Sequence, residues 1–189
     1  MKKYCLLLLL GYSSFCPAFS QNKKTEKTSK SVSSTLLGLS DAVAKNLVKL
    51  QFNGTGGHDS IAFIIENLGK STVKLKIPQG QMFLPTNEGE QNLVVAEDKV
   101  LVLSAGRKRG VQLKTFCTEP SDASPTPKAA FAVGAMAAEP ILKMLQFLTE
   151  KGKLADGSAQ SAVWSVCESG HFNPAGIGND ELTTQACQI

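Results

Sequence analysis

The segment DGSAQSAVWSVCESG, Asp156 to Gly170, sets a glutamine among small and apolar residues just ahead of the chain's single tryptophan. Read as a helix, it places Ser158, Ser161, Ser165 and Glu168 at spacings of three and four, a polar stripe with Asp156 positioned to cap its start. Gln160 lies off that stripe. With Val163, Trp164 and Cys167, at i, i+3, i+4 and i+7, it falls on the face expected to pack against the rest of the protein. A buried carboxamide needs hydrogen-bond partners or a chemical use, because leaving it unpaired costs about 1–3 kcal/mol.

The other groups with chemical potential are the five cysteines. Two of them belong to MKKYCLLLLLGYSSFCPAFSQ, which has Lys2 and Lys3, an apolar core from Tyr4 to Cys16, Pro17, and small residues before Gln21. This reads as a secretion signal, residues 1–20, cleaved after Ser20. Its apolar run is short of the roughly 20 residues of a membrane span. Lipidation at Cys16 is the alternative, opposed by the bulk of Phe15. The expected location is secreted, or in the cell envelope or periplasm. The mature chain then keeps Cys117, Cys167 and Cys187, an odd number in an oxidising compartment. Cys167 and Cys187 flank the glycine-rich ESGHFNPAGIGND and are expected to form a disulfide, worth roughly 3 kcal/mol. Cys117 ends LKTFCTEP, where the chain leaves a strand for an irregular loop, a position that commonly exposes a side chain for chemistry.

The elements that must position these residues are strands first and helices last. Residues 21–35, lysine-, serine- and threonine-rich, form a solvated tether, and residues 36–189 form a single domain. Leu36 to Leu47 reads as a short helix. Seven short strands follow, LVKLQF, SIAFIIENL, STVKLKIP, QMFLP, QNLVVAE, KVLVLSAG and GVQLKTFC, divided by glycine-containing or charged turns. The fold class is mainly β with C-terminal helices, an immunoglobulin-like β-sandwich followed by a helical pair. The immunoglobulin pattern of two cysteines around a tryptophan is absent. TEPSDASPTPKAAFAVGAMAA reads as a proline-broken excursion outside the sheet. EPILKMLQFLTEKGK is the first helix of the pair, with Pro140 in its first turn, Ile141, Leu145 and Leu148 on one face and Gly152 as its stop.

Phe116-Cys117, a proline-containing excursion, a helix, and then Ala159-Gln160-Ser161-Ala162-Val163-Trp164 resemble the bacterial thioester domains of surface adhesins. The resemblance implies an internal thioester between Cys117 and Gln160, with Trp164 and Phe116 shielding it from water. A cysteine thiolate would attack the amide carbon, ammonia would leave, and a target amine could then open the bond to give a permanent amide link. The motif spans under a third of the chain; where the family usually has threonine, this chain has Ala159, and the family's cysteine tends to come earlier. The upstream KIPQGQMFLPTNEGEQNLVVAEDKVLVLSAG is also similar to uncharacterised secreted bacterial proteins.

Other constellations are weaker. Cys117 with His58 or His171 as base would make a cysteine-dependent hydrolase, but neither histidine sits in a family signature. Cys167, His171 and Cys187 lack a fourth metal ligand. GTGG at Gly54 to Gly57 is not followed by the Lys-Ser/Thr of a phosphate loop, and GRKRG reads as a solvated hairpin tip. No metal and no cofactor is expected. Without Lys2 and Lys3 the chain has 18 basic and 16 acidic residues, a net of +2, which points to no nucleic acid. The expected function is a non-catalytic binding or adhesion module for a protein or surface ligand, with the thioester variant and the hydrolase as alternatives. N-terminal sequencing of the exported protein should begin near Gln21; finding Lys2 or Lys3 there would rule out cleavage.

Overall fold

In the strand Ser60–Asn67 every second residue is apolar or amide, and Ile61, Phe63, Ile65 and Asn67 are the ones that go inside. The same period of two recurs through the chain and builds two sheets. The computed structural model describes residues 36–52 and 59–167. The signal, the tether, His58, His171 and Cys187 lie outside the described residues.

In chain order the elements are β1 (Leu36–Gly38), α1 (Leu39–Ala44), β2 (Val48–Phe52), β3 (Ser60–Asn67), β4 (Val73–Ile77), β5 (Gln81–Pro85), β6 (Leu93–Val95), β7 (Lys99–Leu103), β8 (Lys108–Cys117), β9 (Phe131–Met136), α2 (Glu139–Glu150) and α3 (Ala159–Cys167). The protein is mainly β, with two helices near its C-terminal end. Among the described residues one sheet has three strands, in the order β1-β4-β7, and the other six, in the order β2-β3-β8-β6-β5-β9. All pairings are antiparallel except β1 with β4.

The inner faces of the two sheets share one core. Leu75, Ile77, Leu101 and Leu103 come from the smaller sheet, and Ile61, Phe83, Leu93 and Val111 from the larger. Phe52, Phe63, Phe83 and Phe131 interlock there with ring centroids 5.5 to 6.3 Å apart. The second core lies on the other face of the six-stranded sheet, where Val94, Ala96 and Phe116 meet Ile141, Met144, Leu145 and Leu148 of α2 and Ala159, Ala162 and Val163 of α3. The central strands β6 and β8 are therefore covered on both sides, which is why all three residues of β6 are buried. Gly80, at φ +84°, lets α2 approach: a Cβ there would collide with the side chain of Leu142.

All seven expected strands are present. Two elements differ from expectation. Leu36 to Gly38 is a strand ahead of a six-residue helix, too short to show a period. The excursion after Cys117 does rejoin the sheet, because FAVGAM forms β9 and pairs with β5 around an irregularity between Gln81 and Phe83. Gln81 supports that join by donating its amide to the Gly134 carbonyl at 2.7 Å. On α3 the polar stripe is not wholly solvated, since Ser165 is buried with its hydroxyl folded back on the Ala162 carbonyl at 2.6 Å.

The sheets are clasped at one end by Asn67. Fully buried, it donates Nδ2 to the carbonyls of Ser71, Leu103 and Ser104 at 2.9, 3.0 and 3.1 Å, and its Oδ1 accepts the Gly69 N–H at 2.8 Å. Replacing Asn67 by alanine should cost about 3 kcal/mol in urea unfolding, by orphaning buried carbonyls. Asn67→Asp should be at least as damaging at neutral pH, because a carboxylate cannot donate to them.

Candidate functional site

β8 runs between β3 and β6, and its backbone groups point alternately to each. On the β3 side the pairing reaches Lys114 opposite Ser60, and the N–H of Thr115 goes to the Asp59 carbonyl at 3.1 Å. Two residues further along, Cys117 presents its N–H and C=O in the same direction, past the point where β3 begins. On its other side β8 is still paired, with Leu93 opposite Cys117. Gln160 takes the vacant place: its Oε1 accepts the Cys117 N–H at 2.9 Å and its Nε2 donates to the Cys117 carbonyl at 2.9 Å. One side-chain amide thus reproduces the two-bond exchange that a neighbouring strand would make. It joins positions 43 residues apart.

The helix can deliver the amide because α3 packs against α2 over the same face of the sheet. Pro140 stands in the first turn of α2, and Ile141, Leu145 and Leu148 are buried, as their spacing predicts. Gly152, at φ +65°, stops it. Before α3, the Asp156 carboxylate accepts from the Ser158 N–H and hydroxyl at 3.0 and 2.7 Å, and these bonds, with Lys153 beside it, hold its carboxyl down at about 2. Ala159, Ala162 and Val163 form the buried centre of the helix face, with Gln160 at its border.

Cys117 is fully buried, and its side chain belongs to the core between the sheets. Trp164 packs against that same core, and its indole N–H is buried with no acceptor among the described residues. Phe116 points the opposite way, into the core under the helices, with the Lys114 ammonium 5.7 Å from its ring centre. The two shielding candidates therefore lie on opposite faces of β8. The Cys117 thiol is pushed up to about 11 by burial first, and then by the carboxylates of Glu119 and Asp59. That is the reverse of an activated nucleophile. The Cys167 thiol lies 3.1 Å from the Val163 carbonyl, and Cys187, its expected partner, is outside the described residues.

Residues that the sequence did not single out complete the surroundings. The Glu119 carboxylate accepts from both the backbone and the side-chain N–H groups of Asn92, at 2.5 and 2.6 Å. It also forms part of the wall of an open groove of about 350 Å³, whose apolar lining includes Met82, Met136, Ile141 and Cys167. Glu119 is two residues after Cys117, so its proximity was legible. The methionines meet only through the long-range pairing of β5 with β9. Among the described residues no group of three or more metal-ligating side chains converges, and no helix is long and apolar enough to cross a membrane.

The site belongs to a two-sheet, mainly β protein in which a C-terminal helix is sewn to a central strand by one glutamine. No family model, no curated protein and no solved structure matches the chain.

Gln160→Ala should cost about 2 kcal/mol, more than the small cavity alone, because Cys117 loses both backbone partners. Gln160→Glu should destabilise similarly at neutral pH, since a carboxylate cannot donate to the Cys117 carbonyl. Chemical denaturation of the two variants checks both, and hydrogen exchange at the Cys117 amide should rise in Gln160→Ala.

Proposed function

We propose that this chain is a non-catalytic binding or adhesion module acting outside the cytoplasm, with the groove beside the Cys117–Gln160 junction as its ligand site. The observation that carries this reading is the groove itself: about 350 Å³, walled by two methionines and an isoleucine, and rimmed by the fixed carboxylate of Glu119. Its size and mixed lining suit a ligand side chain better than a core defect. The Cys117 thiol, buried between the sheets and raised to about 11, supports a protein that binds rather than one that attacks. The signal peptide, secretion and the Cys167–Cys187 disulfide belong to the same proposal. So does the view that the ligand is a protein or surface component rather than nucleic acid.

The thioester between Cys117 and Gln160 stands as a second reading, favoured by one observation. The Cys117 N–H already donates to the Gln160 carbonyl oxygen at 2.9 Å, the contact that would polarise the amide carbon for attack. The Cys117 sulfur would bond to that carbon, the C–N bond would break, and ammonia would leave with the thiol proton.

Two measurements separate these readings. Binding of the full chain to arrays of extracellular proteins and surface glycans should survive Cys117→Ala within about twofold. It should fall at least tenfold in Met136→Lys, an exposed substitution that fills the groove with a cation. Unchanged binding in Met136→Lys would overturn the groove as the site. Intact mass equal to the sequence mass, with no gain on methylamine treatment, is expected for the binding module. A mass short by one ammonia, with methylamine incorporated at Gln160, would establish the thioester instead.

A further inference from the structure

The groove beside the end of β8 has two unlike walls. The loop that leaves β8 supplies Thr118, Glu119 and Ser121, whereas β5, β9 and α2 supply Met82, Met136 and Ile141. Among the described residues that line it, Glu119 alone is an acid or a base. Its half-buried carboxylate is held in place, because the backbone N–H of Asn92 engages one oxygen at 2.5 Å and the side-chain N–H the other at 2.6 Å. Both donors are neutral, and no ion pair among the described residues includes Glu119. The groove therefore presents one immobilised negative charge, without a counter-ion, beside an apolar surface. A ligand that suits it brings a cation on an apolar stem.

The surroundings of that charge narrow the choice of cation. A metal ion would find a single carboxylate, since no group of three or more metal-ligating side chains converges among the described residues. A guanidinium binds best when it takes both oxygens of a carboxylate in parallel, and Asn92 already engages both. An ammonium needs only one remaining lone pair on Glu119, and the hydroxyls of Thr118 and Ser121 on the same wall are further acceptors for its other protons. The four-carbon stem of a lysine would then lie along the methionines, whose unbranched side chains adapt to a flexible neighbour.

We propose that the groove receives a lysine side chain of a protein ligand, with its stem against Met82, Met136 and Ile141 and its ammonium on Glu119. This assignment rests on the reading of the groove as the ligand site and adds to it the chemistry that the site selects. Glu119 is the specificity-determining residue, and the apolar wall contributes affinity without distinguishing lysine from an uncharged chain of the same length. One side chain in an open groove binds weakly by itself, and added salt weakens it further.

NMR of the full chain, labelled at its methionine methyl groups, reads occupancy of the groove directly. Met82 and Met136 line it, and Met144, buried in the core under the helices, is the internal control. Nα-acetyl-lysine methylamide should shift the Met82 and Met136 signals saturably, with a dissociation constant in the millimolar range, and leave Met144 in place. The norleucine analogue, which has the same stem without the ammonium, and the arginine analogue should each bind about tenfold more weakly. Glu119→Gln, its fold checked by circular dichroism, should weaken the lysine probe about tenfold and leave the norleucine probe unchanged. Norleucine or arginine binding the wild type as tightly as lysine would overturn the proposal, and that comparison needs no variant. So would a lysine probe that shifts neither methionine, or one indifferent to Glu119→Gln. In each of those cases the loss of array binding in Met136→Lys still decides whether the groove is the ligand site, so the two readings fail separately.

Discussion

The end of β8 sets a constraint that the C-terminal third of the protein is arranged to meet. A central strand buried on both faces cannot leave N–H and C=O groups unpaired, and the pairing with β3 ends at Lys114 opposite Ser60, three residues short of Cys117. Water is no substitute at a residue with no exposure. The Gln160 carboxamide fills the gap, and doing so fixes where α3 must lie. With α3 fixed, α2 is held against Val94 and Phe116, and the second core closes.

The same device recurs wherever this chain must join parts that no strand connects. Gln79 donates to the Ala96 carbonyl at 2.9 Å and to the Thr149 hydroxyl at 2.7 Å, tying α2 to the turn before β5. Gln81 accepts the Ser40 hydroxyl at 2.7 Å while donating to Gly134, linking α1 to β9. Gln91 donates to the Asp122 carbonyl at 2.8 Å, across the two loops that flank Cys117. An amide suits these places because it both donates and accepts without bringing a charge inside, where an ion would require its own partner. Each of these bonds bridges elements well apart in sequence.

Much of this was legible in the chain. The strands from β2 to β8 announce themselves by alternation and by the turns between them, and α2 by its apolar stripe, because those signals are local. Gln160 on an apolar face pointed to a partner, and Cys117 at a strand end was a sound choice of one. What local pattern does not carry is register. β9 is rich in alanine and glycine, and it becomes a strand only because β5 offers it an edge and Gln81 a bond. Ser165 was misplaced because a serine satisfied by its own helix is compatible with a core. The partner atoms of Gln160 were equally hidden, since nothing in the sequence says that β3 starts too late to reach Cys117.

The Cys117–Gln160 junction sets two electrostatic effects against each other. The Cys117 N–H on the Gln160 carbonyl oxygen draws electrons from the amide carbon, and a donor so placed is worth about 10² to 10³ in an acyl-transfer rate. Burial and the carboxylates of Glu119 and Asp59 act on the sulfur in the opposite sense. With the thiol raised to about 11, only about one molecule in 10⁴ carries the thiolate at neutral pH, roughly a hundredfold fewer than at the ordinary value of 9.0. The effect at sulfur thus opposes the gain at carbon. The amide nitrogen that would leave is also the donor that satisfies the Cys117 carbonyl, so the reaction would break a bond on which the helix position depends. The Glu119 carboxylate, anchored by Asn92 at the groove wall, is the group whose neutralisation by a bound cation would shift the balance toward the thiolate.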